Sequence, residues 1–383
     1  MAVTVGGRGN GRIGVATTAA RPEPTSIAPV AFDHEDLVVR RGERSGLYCI
    51  VAVHSTVLGP ALGGLRLWWY PEVVDGVRDA LRLAAGMTYK AAAAGLDLGG
   101  GKGVICAPAD GLPDARRRGA LLDFGDLVAS LGGRYITAED VGIAPADLVV
   151  ISERTDHVTG LPADRGGTGD PSPFTAIGVE AALRACLWSR FGDPAPAGRK
   201  VAIVGLGHVG AALAERLARD GCELLASDIV AEKRPLADRL GATWVDPEHA
   251  MTVECDVLAP CALGGAISAS NVDRLRCEIV CGSANNQLAD EALAGRLADR
   301  GILFAPDFIV NAGGLINVYR EIVGYGRERA IELTRGIEKT MREILLAAEA
   351  DGITPLDAAR ERAMKRLASA SRRGSTRLSA SSY

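Results

Sequence analysis

Aromatic side chains are scarce in this chain, at 4% of 383 residues, and neither sign of charge prevails, with 43 Lys and Arg against 47 Asp and Glu. The formal net charge of −4 offers no basic field for a phosphate backbone, and so few rings offer no base-stacking surface. Nucleic acid is therefore excluded as an expected partner. Long apolar runs are missing as well. No stretch reaches the roughly 18 uninterrupted apolar residues of a spanning helix, and the N-terminus lacks the apolar segment of a signal peptide. A cytoplasmic protein with no membrane partner is expected. The eight cysteines form no CxxC pair and lie mostly in apolar runs such as YCIVAV. They read as buried reduced thiols, not a disulfide framework. The five histidines are dispersed, with no HxxxH spacing or Cys/His cluster, so no metal site is expected.

What is plentiful is glycine, 47 residues, which marks places where backbone approaches something closely. The chain is too long for one ordinary core, and two α/β domains are expected. Residues 1–25 show no apolar period and read as a disordered leader, followed by a first domain over 26–165. Within it, strands are expected at 37–40 and 47–54, with GPALGGLRL (59–67) as a glycine-dense connection. Apolar spacing from Val73 reads as a helix that runs on through residues 86–98 and breaks at Gly99–Gly101 before a strand, GVICAP. Arginines 116–118 read as a solvated helix face, residues 119–131 as an amphipathic helix, and YIT (135–137) as a short strand. The run GLPADRGGTGDPSP (160–173) reads as a hinge to a second domain over 166–345, with domain closure about it expected. Beyond Val201, all-apolar strands alternate with helices, the signature of a parallel doubly wound sheet. Residues 346–370 are expected to form a helix returning to the first domain, and 371–383 a disordered polar tail.

Residues 86–103, GMTYKAAAAGLDLGGGKG, place Lys90 and Lys102 twelve positions apart among Ala, Gly, Leu and Met. Two ammonium groups held close in a dry cleft repel, and burial adds to the repulsion. Both effects move a lysine towards neutrality and can make one of the pair a usable base. The alternative is two exposed lysines flanking a buried helix turn. The glycines at 99–103 suggest a phosphate loop, but a Walker A motif ending at Lys102 needs Gly at 96 and Ser or Thr at 103. Leu96 and Gly103 stand there, so the kinase or ATPase reading is rejected.

Strand VAIVG runs into Gly205-Leu206-Gly207-His208-Val209-Gly210 and then a helix, so GxGxxG stands in the context it requires. The first Gly permits the tight turn, the second lets backbone approach a pyrophosphate, and the third lets helix and strand pack. The helix N-terminus attracts the anion. The next strand ends at Asp228, eighteen residues after Gly210. An acid there pairs with a ribose 2′-hydroxyl and repels a 2′-phosphate, so NAD is favoured. Lys233 and Arg234 just beyond leave room for NADP. His208 reads as a variable loop side chain and not as a catalyst.

Seven segments, GPALGGLR (59–66), GMTYKAAAAGLDLGGGK (86–102), ITAEDVG (136–142), GDPSPFTAIGV (169–179), APCALGG (259–265), GSANNQLA (282–289) and APDFIVNAGGLINV (305–318), resemble the Glu/Leu/Phe/Val amino acid dehydrogenase family, and most nearly its leucine/valine branch. The resemblance spans about residues 35–365. It implies an N-terminal substrate and oligomerisation domain, a Rossmann-type NAD domain, a cleft between them and a homo-oligomer. It implies Lys90 as the anchor of a substrate carboxylate, Lys102 as general base and Asp140 as its proton-transfer partner. Leu62, Gly63, Met87, Leu315 and Val318 would line the side-chain pocket, with Asn286 on the substrate. Thr175, Ala259, Asn285 and Asn311 would meet the cofactor beside the GxGxxG residues and Asp228.

The residue types suit that chemistry. Oxidative deamination leaves an iminium that water attacks, and the water needs a base, which a neutral Lys102 supplies. The glycines at 99–101 would let substrate and nicotinamide approach the backbone. An apolar pocket disfavours a second carboxylate, and so glutamate as substrate. The bland alternatives are a helix N-cap for Asp140 and plain core packing for Leu315 and Val318. Ala91, Ile143, the Trp68-Trp69 pair and Leu315 depart from the family pattern near the pocket. The resemblance implies NAD-dependent, reversible oxidative deamination of a branched-chain L-amino acid, with phenylalanine or another apolar amino acid as the alternative substrate. A non-catalytic NAD-binding sensor is the non-enzyme alternative, against which the joint presence of Lys90, Lys102 and Asp140 speaks.

Overall fold

The computed structural model describes residues 33–380, with side chains described to residue 371. The leader expected over 1–25 and residues 381–383 lie outside the described residues. Chain order begins with β1 (Asp36–Arg41), β2 (Tyr48–Ser55), β3 (Ala61–Trp69), α1 (Val73–Ala93), β4 (Gly99–Ala107), α2 (Asp114–Ser130), β5 (Tyr135–Glu139) and α3 (Pro145–Ser152). The strands form one mixed sheet in the order β1-β2-β4-β3-β5. β1 and β4 flank β2 antiparallel, while β4, β3 and β5 run parallel.

Alternation along β2 and β4 sets the layers. Ile50, Ala52 and Val104 face α1, where Ala80 and Ala84 close the contact. Cys49, Val51, Val53 and Ile105 face the other way, against Leu121, Phe124 and Leu127 of α2 and Leu148 and Ile151 of α3. Successive side chains of a strand point to opposite faces, so one sequence run feeds two helical layers. α1 ends where Gly95 takes φ +79°, a conformation glycine adopts without strain.

The second sheet follows α4 (Ser172–Phe191). It comprises β6 (Lys200–Val204), α5 (His208–Arg219), β7 (Glu223–Ser227), α6 (Arg234–Arg239), β8 (Thr243–Trp244), α7 (Pro247–Ala250), β9 (Val257–Pro260), β10 (Ile279–Val280), α8 (Leu293–Asp299) and β11 (Leu303–Phe304). Its six strands are all parallel, in the order β11-β10-β9-β6-β7-β8. Val201, Ile203, Val257 and Ile279 pack on the α4 side, and Ala202, Leu258 and Val280 on the α8 side. The expected doubly wound sheet is present, with apolar residues on both faces because helices cover both.

Then come α9 (Asp307–Val310), α10 (Gly313–Val323), α11 (Arg327–Arg335), α12 (Ile337–Asp351) and α13 (Pro355–Ala380). α13 returns to the first sheet. Its Arg366 donates to the carbonyls of Ala92 and Leu96 at the end of α1 and pairs with Asp97 at 2.7 Å.

Four local expectations change. GPALGGLRL is not a connection, since β3 occupies Ala61–Trp69. Gly99–Gly101 do not precede the strand but begin it. The arginine run is not simply solvated: Arg116 donates to the Ser45 carbonyl, Arg117 pairs with Asp147, and Arg118 with Glu153. The stretch read as a tail from 371 continues as helix to Ala380. The hinge run is tethered, because Glu321 of α10 accepts the amides of Gly160 at 3.0 Å and Thr168 at 2.7 Å. Among the described residues no helix is long and apolar enough to cross a membrane.

Candidate active site

β4 carries Lys102 between glycines, and each glycine is filled from the protein side. A Cβ on Gly99 would lie 1.8 Å from the Ser55 carbonyl oxygen, and one on Gly100 would lie 2.1 Å from the Thr88 amide nitrogen. One on Gly101 would meet the Tyr135 ring at 2.6 Å, and one on Gly103 the Phe124 ring at 2.5 Å. The glycine run thus draws α1, β2, β5 and α2 tightly around the strand. Protein, not substrate or nicotinamide, takes the space expected for ligand approach at 99–101. Because residues 100, 102 and 104 share a face, Lys102 projects to the α1 side, and it is only 5% exposed.

Lys102 Nζ donates to Asp140 Oδ2 at 2.6 Å, just beyond the end of β5. The pairing expected from sequence is therefore built, across 38 residues of chain. The same carboxylate oxygen accepts from Arg66 Nε at 3.0 Å, while Arg66 Nη1 donates to Asp79 Oδ2 at 2.8 Å. Tyr70 donates its hydroxyl to Asp79 at 2.7 Å and Arg82 donates to the other Asp79 oxygen at 2.9 Å. Burial pushes the Lys102 ammonium below its ordinary value and Arg66 adds to that, against the opposing pull of Asp140 and Asp79. Burial raises Asp140, but Lys102 and Arg66 together outweigh it and hold the carboxyl ionised below the usual range.

α1 delivers the second lysine. Asp79 and Lys90 lie eleven residues apart, about three helical turns, and so share a face. Burial lowers Lys90 to about 8; the Asp307 carboxylate on α9 opposes this and the Lys102 charge adds to it. Lys90 has no hydrogen bond or ion pair to any described residue. Asp307 is itself raised by burial, although it accepts the Gln287 amide at 2.9 Å and faces Lys90. The two lysines are thus electrostatically coupled, as the sequence suggested, and they sit in different settings: one paired, one free.

The remaining pocket residues divide. Leu62 is buried in β3 within the apolar cluster against which Leu315 and Val318 of α10 are half-buried. Gly63 accepts the Tyr135 hydroxyl at 2.6 Å, and a Cβ there would collide with the Gly101 carbonyl oxygen at 1.7 Å. Met87 is half-buried on α1, outside that cluster.

The dinucleotide loop has the geometry its motif requires. Gly205 turns at φ +105° against Ala262, and a Cβ on Gly210 would strike the Gly205 carbonyl oxygen at 1.9 Å. Gly207 faces open space, with nothing within 4 Å of a built Cβ, at the N-terminus of α5. That open glycine fits a pyrophosphate approached by backbone. Asp228 follows β7 and accepts the amides of Leu206 at 2.6 Å and Val230 at 2.8 Å, so it both braces the loop and presents an acid beside it. The Leu206 side chain is buried, Val209 is half-buried, and His208 is exposed, with Asp170 3.8 Å away. Thr175 donates to the Pro171 carbonyl in the first turns of α4 and abuts Gly314. Asn311 donates to Asn285 at 2.8 Å and to the Ser283 carbonyl, and its buried Oδ1 has no partner among the described residues, as a ligand-facing acceptor would. Asn286, next in sequence to Asn285, takes φ +51°. Ala259 departs from expectation: it is wholly buried in β9 within the core, so its side chain is withheld from a cofactor. The loop beyond it, Cys261–Gly265, is the accessible part of that motif.

Sequence reasoning did not single out Arg66, Asp79, Tyr70 or Asp307. A charged residue inside an apolar strand was the available signal for Arg66. Among the described residues no group of His, Cys, Asp and Glu is gathered to hold a metal ion.

Comparison with known proteins agrees with this architecture. Residues 31–157 match the family model "Glu/Leu/Phe/Val dehydrogenase, dimerisation domain", and 227–374 match "Glutamate/Leucine/Phenylalanine/Valine dehydrogenase". Residues 177–263 match the NAD binding domain of D-isomer specific 2-hydroxyacid dehydrogenases. A leucine dehydrogenase of Thermoactinomyces intermedius is 44% identical over 88% of this chain and 91% of its own length. A leucine dehydrogenase of Geobacillus stearothermophilus is 42% identical over 88% and 91%. The crystal structure of L-tryptophan dehydrogenase from Nostoc punctiforme superposes with a TM-score of 0.79 at 38% identity, covering 89% of this chain and 98% of that one. With both sheets, the lysine–aspartate pair and nearly the whole length accounted for, the chain belongs to the Glu/Leu/Phe/Val dehydrogenase family.

Proposed function

We propose that this chain is an NAD-dependent dehydrogenase that oxidatively deaminates branched-chain L-amino acids, leucine, valine or isoleucine, to the 2-oxo acid and ammonia, reversibly. The observation that carries the reading is the division of labour between the lysines. Lys102 is paired with Asp140, whereas Lys90 feels Asp307 only from beyond ion-pair distance and makes no hydrogen bond or ion pair among the described residues, which leaves its ammonium for a substrate carboxylate. When bound, NAD supplies the hydride acceptor, with the Gly205–Gly210 loop, Asp228, Thr175 and the Asn285–Asn311 pair as its holders.

Lys90 anchors the α-carboxylate as a point charge. Lys102, pushed towards neutrality by burial, takes a proton from the water that attacks the iminium carbon. Asp140 holds Lys102 in place and balances the positive charge that develops as that proton is taken. Leu62, Leu315 and Val318 supply an apolar wall with no partner for a second carboxylate. The identity to leucine dehydrogenases favours branched-chain substrates. The likeness to a tryptophan dehydrogenase supports a second reading, an aromatic amino acid.

The matched family model is described as a dimerisation domain, which supports a homo-oligomer. All eight cysteines are free thiols, which suits a reducing cytoplasm. The test is NADH absorbance with leucine, valine, isoleucine, phenylalanine and tryptophan at alkaline pH. Leucine or valine should give the highest kcat/KM. An aromatic optimum selects the second reading, and no turnover with any of the five removes the proposal in favour of a non-catalytic NAD-binding sensor.

A further inference from the structure

Arg66 meets two carboxylates at once. Its Nε reaches Asp140 Oδ2 at 3.0 Å, the same oxygen that Lys102 Nζ reaches at 2.6 Å, and its Nη1 reaches Asp79 Oδ2 at 2.8 Å. Asp79 is itself fixed by the Tyr70 hydroxyl and by Arg82. We infer that Arg66 is a positioning residue for the reaction proposed above: braced by Asp79 and Tyr70, it fixes Asp140 and keeps that carboxylate from closing wholly on Lys102.

The inference rests on the reading of Lys102 as the base. A base must give up its proton, and an aspartate devoted to Lys102 alone would hold that proton in place. Arg66 cannot deprotonate, so it takes a standing share of the Asp140 charge and repels the Lys102 ammonium as well. Its planar fork sends Nε to Asp140 and Nη1 to Asp79, a fixed two-point geometry that the compact ammonium of a lysine does not reproduce. β3 is built for this contact, because a Cβ on Gly64, two residues before Arg66, would lie 2.7 Å from the Asp140 Cβ. Glycine there lets Asp140 come against the strand that carries the arginine.

Lys102 feels charged groups from each element on its face: Arg66 from β3, Asp79 and Lys90 from α1, and Asp140 from the end of β5, with Tyr70 and Arg82 acting on it through Asp79 and Tyr135 lying on the other face of β4. Burial and Arg66 disfavour its charge; Asp140 and Asp79 favour it. Arg66 touches Asp140 directly and can be changed without removing the base, its partner or the carboxylate anchor.

The experiment compares Arg66→Gln and Arg66→Lys with the wild type in full-length, NAD-bound protein. Two readouts are taken: the acid limb of the kcat–pH profile with leucine, and the pH dependence of Lys102 carbamoylation by cyanate, followed by mass spectrometry. Arg66→Gln should move both upward by about one pH unit, with kcat falling more than KM rises. Arg66→Lys keeps charge but loses the brace, and should show a smaller upward shift. Activity lost with both pH dependences unmoved would mean a merely structural role and overturn the inference. If Arg66→Gln does not fold, Arg66→Lys decides by the same criterion. The labelling needs no turnover, so failure of the proposed activity and failure of the Arg66 inference are told apart.

Discussion

Replacing Lys90 by methionine should stabilise the protein while disabling it. Methionine matches the lysine stem in length and removes only the ammonium. Burial lowers Lys90 from its ordinary 10.5 to about 8, a displacement worth roughly 3 kcal/mol of cost to the fold at neutral pH. That displacement is already net of the attraction to the facing Asp307 carboxylate, which keeps the Gln287 amide in the variant. A net gain of about 1–3 kcal/mol at pH 7 follows, in the range seen when a buried charge gives way to an apolar residue. The pH dependence fixes the cause. Between about 8 and 10.5 the folded wild type binds fewer protons at Lys90 than the unfolded chain, so its stability rises with pH across that window. Below about 8 the cost is fully present and constant. The advantage of Lys90→Met should therefore be largest at pH 7 and shrink towards pH 10.5. Thermal melts of both proteins at equal concentration, at pH 7, 9 and 10.5, measure this, with leucine titrations alongside. A variant that melts below the wild type at pH 7, or a difference that ignores pH, would refute the reasoning.

Lys102→Ala should lower kcat by about 10²–10⁴ while NAD affinity, read by calorimetry, stays within threefold; unchanged turnover removes Lys102 as the base. Because Lys90 must be charged to hold a carboxylate, the KM for leucine should rise as pH climbs past about 8 in the wild type, and steady-state kinetics at fixed NAD would show it. Gly100→Ala places a Cβ 2.1 Å from the Thr88 backbone nitrogen, so α1 must leave β4; a loss of more than about 3 kcal/mol is expected in urea unfolding. Gly86→Ala, at an exposed position of α1 with nothing within 4 Å, should instead stabilise by about 0.5–1 kcal/mol, and equal effects at the two sites would contradict the packing described.

Much of the cofactor half is legible in the sequence. A strand, GxGxxG, a helix and an acid eighteen residues on are local patterns, and the parallel sheet follows from apolar runs that helices cover on both faces. The first sheet was less legible for a physical reason. Glycine carries no side chain, so neither Gly63–Gly64 nor Gly99–Gly101 shows a strand period. They read as connection and break, although both lie within strands. Only the neighbours that fill the missing side-chain space, such as Thr88, Tyr135 and Asp140, reveal why glycine stands there.

The sequence by itself determined the type of chemistry: two lysines in an apolar setting, an acid downstream, and a dinucleotide loop. Tertiary structure alone decided how those charges are shared. Arg66 reaches Asp140 across 74 residues of chain, and Lys90 faces Asp307 from the other sheet's helices. Periodicity and spacing act over a few turns, whereas the protonation state of a buried lysine is set by every charge within a few ångströms, wherever the chain brings it from.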